Sequence, residues 1–166
     1  FTAQRSRARR PLRNSRVTAG RVRPTSGSDW SGLYPGGNAA GSAAGGPHGV
    51  LVLHGFTGNP QSMRGLAEAF AAAGFAVELP LLPGHGTSVD DMLATDWSDW
   101  SAAAEAAFQD LAGRVDRVVV AGLSMGGSLT CWLASRHPEI AGIVCVNAAV
   151  ARTVHFERTK TALRAF

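Results

Sequence analysis

Short, continuously apolar runs alternate along the middle of the chain with longer stretches whose apolar positions recur every three or four residues. Val50–Leu53, Phe75–Leu79, Arg117–Ala121 and Ile140–Val146 are of the first kind, the pattern of strands covered on both faces. After the first run, Met63, Leu66, Phe70 and Ala73 share one helical face. Asn59 offers that helix an N-cap, Pro60 a first residue whose missing N–H costs nothing, and Gly74 a stop. A second helix is expected from Trp97 to about Ala112, capped by Asp96 with Asp99 in its first turn. A third follows residue 124, with Leu129, Trp132 and Leu133 on one side, and ends near Pro138. Residues 80–96 read as a loop carrying Pro83-Gly-His-Gly86.

Strands alternating with helices at this spacing predict βαβ units, hence an α/β class with a parallel sheet and helices on both faces, three layers in all. Residues 29–48, mostly Gly, Ala, Ser and Pro, read as a lead-in loop to a domain spanning residues 49–150. Residues 1–28 show no period and are expected to be a disordered or spurious Arg-rich tail, outside the fold. Residues 151–166 form a basic tail with no assignable role.

Composition changes this picture in three places. The 166 residues, 45% of them hydrophobic, suffice for one core of ordinary size. The net charge of +4 suggests a basic protein, but residues 1–28 hold eight arginines and no acid. The remainder has eight basic against twelve acidic residues, so no nucleic-acid partner is expected of the folded part. No apolar run approaches the ~20 residues that would cross a bilayer, and Arg9-Arg10 has no apolar stretch behind it to make an export signal. Cys131 and Cys145 are expected as separate small buried hydrophobes in a helix and a strand. With no disulfide framework in view, the default setting is a reducing cytoplasm.

The candidate chemistry lies where the third strand meets the third helix. Gly122-Leu-Ser-Met-Gly126 has the G-x-S-x-G form of a nucleophile elbow. Its strand turns so abruptly into a helix that residues two before and two after Ser124 crowd each other. Gly122 and Gly126 leave room for that approach, and Gly127 extends it. The helix N-terminus beneath the serine favours a developing negative charge. A second turn, His54-Gly-Phe-Thr-Gly58, follows the first strand at the same sheet edge, the edge where open parallel sheets bind ligands. The backbone amides of Phe56 and Met125 could there converge on one oxygen, in a turn that also contains His54 and Gly55.

These three motifs (H-G-F-T-G, P-G-H-G and G-L-S-M-G-G) resemble the α/β-hydrolases. Within them the bacterial carboxylesterases and thermostable monoacylglycerol lipases are most similar, over about Gly49 to Ala149. The resemblance implies Ser124 as nucleophile, Phe56 and Met125 as oxyanion donors, and His54 and His85 as residues that shape the two loops. It implies esters of short or medium acyl chains, or monoacylglycerols, as small-molecule substrates, with no cofactor. Asp90, Asp91, Asp96 and Asp99 are acidic enough to suggest a metal, but no His or Cys joins them at ligand spacing. Caps and a solvated face explain them.

The family's triad runs Ser, Asp, His, the last two on loops after later strands. Beyond Ser124 the chain has only Glu139 and Glu157 as acids and only His137 and His155 as histidines. None fits that order and spacing. The sequence therefore reads as the first part of such a domain, with the C-terminal strands missing, and is expected to be poorly stable and nearly inactive alone. A C–C bond hydrolase, a haloperoxidase-like enzyme, or a non-catalytic binding protein on the same fold are the alternative readings.

Overall fold

The computed structural model describes residues 28–29 and 40–150. Within them a six-stranded sheet is ordered β1-β2-β4-β3-β5-β6. Its parallel part comprises β3 (His48–Leu53), β4 (Ala76–Leu79), β5 (Arg117–Leu123) and β6 (Gly142–Val146). These are the four apolar runs, each within two residues of its expected start and end. Beside this parallel part the sheet carries an antiparallel edge, which the apolar runs do not announce. Gly41–Ala43 (β2) runs antiparallel to β4, and Ser28–Asp29 (β1) runs antiparallel to β2. Residues 41–43, read as loop, pair because β4 would otherwise present an open edge of unpaired amides and carbonyls.

Four helices connect these strands: α1 (Pro60–Ala72), α2 (Val89–Leu93), α3 (Trp97–Ala112) and α4 (Met125–Arg136). Strand residues alternate between two cores. Val50, Val52, Val77, Leu79 and Ala121 pack on Met63, Ala67 and Ala71 of α1. Leu51, Leu53, Val118 and Val120 pack on Trp100, Phe108 and Leu111 of α3 and on Met125, Leu129 and Leu133 of α4. Helices thus cover both faces, and β3, in the middle, is buried from Val50 through Leu53. The three layers are those the apolar runs imply.

The caps follow the local sequence. Asp96 accepts a bond from the Ser98 amide, and Asp99 accepts one from the Asp96 amide, closing a reciprocal cap on α3. Asn59 precedes α1 but makes no side-chain cap bond. Gly74 takes a φ of 91° just past the end of α1, a conformation that favours glycine. The short α2 was read as loop, yet Ser88 and Asp91 form the same reciprocal cap there. At the far end of α4, His137 bonds Glu105 of α3 at 2.8 Å and Glu139 at 3.0 Å and stacks on Phe108. The Glu105 hydrogen bond raises the His137 pKa above its ordinary value.

The two cysteines depart from expectation. Cys131 is half-buried and Cys145 is exposed, because β6 borders only β5 among the described strands. No helix of the described residues is long and apolar enough to cross a membrane. Glu157 and His155 lie outside the described residues, as does most of the Arg-rich segment.

Candidate active site

Ser124 is the pivot between β5 and α4. Its φ of 52° and ψ of −114° belong to neither element, a backbone state that side-chain-bearing residues adopt only when their surroundings enforce it. The enforcement is visible. A Cβ on Gly122 would run into the backbone of Gly126 and Gly127, and one on Gly126 into the carbonyls of Leu53 and His54. One on Gly127 would lie 2.7 Å from the Ala148 Cβ. Strand, helix and the end of β3 therefore meet at backbone contact, as the glycine spacing implies. The Ser124 amide donates to Val146 O at 2.9 Å, and the Ser128 hydroxyl donates to Ala149 O at 2.6 Å, so the end of β6 braces the same bend.

The serine is partly exposed, while Met125 behind it is fully buried. Met125 is the first residue of α4, so its amide has no partner within the helix. The turn after β3 lies alongside. Leu53 is in register with Gly122, and a Cβ on Gly55 would sit 3.4 Å from the Ser124 Cβ. The structure thus brings the 54–58 turn and Ser124 together at one edge.

That turn is rigidly held. The Leu82 amide donates to His54 Nε2 at 3.1 Å, so Nδ1 carries the proton and donates to Gly55 O at 3.0 Å. Burial pushes the His54 pKa down to about 4. The neutral imidazole is a bridge between the turn after β3 and the loop after β4. His85 packs edge-on against His54 and Phe56, with Nδ1 2.9 Å from Pro83 O. Burial lowers its pKa too, and its Nε2 has no hydrogen-bond partner. Trp100 of α3, fully buried, donates its indole N–H to Pro83 O at 3.1 Å. Nothing in the spacing of Trp100 announced that tie.

Thr57 was a further omission. It has a φ of 61°, and with Ser124 and Asn147 it completes the set of non-glycine residues at positive φ among those described. Each directly follows, or lies just beyond, the C-terminal end of a parallel strand: β3, β5 and β6 respectively. A β-branched residue in that region is a genuine outlier, so backbone strain gathers at the edge formed by the C-terminal ends of the parallel strands. Beside it, a cavity of about 350 Å³ is lined by Thr57, Asn59, His85, Thr87, Ser88 and Met92, among others.

No described histidine bonds to Ser124. His54 and His85 are committed to backbone partners, and His137 to Glu105 and Glu139 at the opposite end of α4.

The chain is similar to known proteins in sequence and in fold. Residues 50–165 match the family described as alpha/beta hydrolase fold. The chain is 56% identical over 108 residues to a thermostable monoacylglycerol lipase of Bacillus sp. (strain H-257), covering 65% of this chain and 43% of that protein. It is 33% identical over 101 residues to a carboxylesterase of Bacillus subtilis (strain 168), covering 60% and 41%. Among solved structures it is similar to one described under LipS and LipT, two metagenome-derived lipolytic enzymes. The TM-score there is 0.68 at 50% identity, covering 70% of this chain and 48% of the other. A thioesterase domain from the curacin biosynthetic pathway is similar at a TM-score of 0.57 and 26% identity, covering 75% and 47%. The chain spans less than half the length of each of these four proteins. With the family match extending over most of its length, and the three layers and the elbow in place, the chain belongs to the alpha/beta hydrolase fold family.

Proposed function

We propose that this chain carries the nucleophile and oxyanion half of a serine hydrolase acting on carboxylic esters, short or medium acyl esters or monoacylglycerols. The observation that carries the reading is the strained, partly exposed Ser124 with the 54–58 turn packed against it. The hydroxyl oxygen attacks the ester carbonyl, and a base takes its proton. The negative oxygen that results is held by the amides of Phe56 and Met125 and by the N-terminal end of α4. The alcohol leaves, and water hydrolyses the acyl-enzyme. Lipolytic and esterase relatives support ester substrates, and the similarity to a thioesterase domain is in keeping with an acyl substrate. No cofactor enters this chemistry.

The proposal assigns the proton acceptor to no described residue, since no described histidine bonds to Ser124: His54 uses both ring nitrogens on backbone partners, and His85 is held by Pro83 through Nδ1. Turnover by the 166-residue chain alone is accordingly weak, and an external base should assist it. p-Nitrophenyl butyrate hydrolysis, measured with and without added imidazole, tests this. A protein-dependent rate that imidazole raises, and that Ser124→Ala removes, is the expected result. Equal rates for the chain and its Ser124→Ala variant at every imidazole concentration would overturn the reading.

A further inference from the structure

Cys131 on α4 and Cys145 on β6 stand fourteen residues apart in sequence with their sulfurs 3.6 Å apart. Both are free thiols, the first half-buried and the second exposed. Cys145 is turned toward α4, with its sulfur 3.7 Å from Gly127 O. The contact is made by the fold, since β6 must run beside β5 and against α4 for the two side chains to meet. A disulfide needs sulfurs about 2.05 Å apart, so bonding would require an approach of about 1.5 Å. No group of three or more His, Cys, Asp or Glu side chains fit for a metal exists among the described residues, which leaves the pair to thiol chemistry.

We propose that Cys131 and Cys145 are a thiol–disulfide modification site, which reacts with a low-molecular-weight disulfide to close a covalent staple between α4 and β6 behind the elbow. One cysteine thiolate attacks a sulfur of the small disulfide, forming a mixed disulfide and releasing one small thiol. The second thiolate attacks the protein sulfur of that mixed disulfide and releases the other small thiol. The two cysteines are oxidised, the small disulfide is reduced to two thiols, and both cysteine protons leave to solvent or to the departing thiolates.

The staple reinforces a seam that already holds the bend. The bonds from the Ser124 amide to Val146 O and from the Ser128 hydroxyl to Ala149 O tie the elbow and the start of α4 to the end of β6 and the residues just after it. Closing the disulfide keeps β6 against α4 when the strand would otherwise open. The inference stands on the sulfur contact and the topology, whether or not Ser124 is a nucleophile.

The test is incubation of the dilute 166-residue chain with oxidised glutathione, followed by intact mass and non-reducing peptide mapping. The expected product is lighter by two hydrogen atoms, retains no glutathione, joins the peptides holding residues 131 and 145, and reverts with dithiothreitol. Hydrogen exchange at the Ser124 amide should slow by roughly tenfold in that product. Cys131→Ser and Cys145→Ser should each stop at a glutathione adduct on the remaining cysteine. Separate glutathione adducts on both cysteines of the unaltered chain, disulfides between chains, or no reaction at either thiol would overturn the proposal. The wild-type mass and map decide this even where a variant folds poorly.

Discussion

Strands β3 and β6 are written in nearly the same residues, Val-Leu-Val-Leu against Ile-Val-Cys-Val, and they occupy opposite surroundings. Val50 to Leu53 are at most 1% exposed, with strands on either side and helices on both faces. Ile143, Val144 and Val146 are 48%, 41% and 45% exposed, with β5 alone beside them among the described strands. An apolar run states that a strand forms. It does not state what lies next to it, because neighbours are a property of topology. The two strands also serve Ser124 differently: the end of β3 supplies the turn packed on the serine, while the end of β6 braces the bend through its backbone.

The sharpest way to break this comparison is at the junction of β3 with the elbow. Gly126→Val would drive a side chain into the Leu53 and His54 carbonyls, which no rotamer change relieves. A loss of more than about 4 kcal/mol, or outright failure to fold, is expected in urea denaturation. Next in size, Leu53→Ala should cost about 3–4 kcal/mol, whereas Ile143→Ala should cost less than about 1 kcal/mol. Equal losses would mean that the two strands are covered alike.

The pH dependence sharpens the same contrast. Folded His54 resists protonation down to about pH 4, while the unfolded chain takes up that proton near its ordinary pKa of 6.5. Stability should therefore fall as pH drops through that window, by roughly 3 kcal/mol. Denaturation midpoints of the chain and of His54→Gln, compared between pH 7 and pH 4, read the effect, which the variant should largely lose. His137 should act more weakly and with opposite sign. Its raised pKa gives stability that is complete below pH 6.5 and fades as pH climbs past the folded value. A His137→Gln variant should lack that alkaline decline.

What was legible in the sequence was whatever local residues dictate. The four parallel strands, the span of α3 and the glycine clearances of the elbow all follow from runs, caps and close approach. The α2 cap is also written locally, as Ser88 with Asp91 three residues on, although the helix it starts is only five residues long. β2 had no such signal: Gly-Ser-Ala carries no strand pattern, and only the open edge of β4 recruits it. His54 is legible as part of the turn after β3, but its partner Leu82, 28 residues away, is not. The Cys131–Cys145 contact was hidden for the same reason. Two thiols on different elements look independent until the topology brings them together.

Central to the proposed function is one hydroxyl, that of Ser124, acting as the nucleophile. A fluorophosphonate probe followed by peptide mapping tests it most directly. With imidazole present to act as base, a single adduct is expected, on the peptide bearing Ser124 and absent from Ser124→Ala. Adducts scattered over several serines, or undiminished labelling of Ser124→Ala, would contradict it.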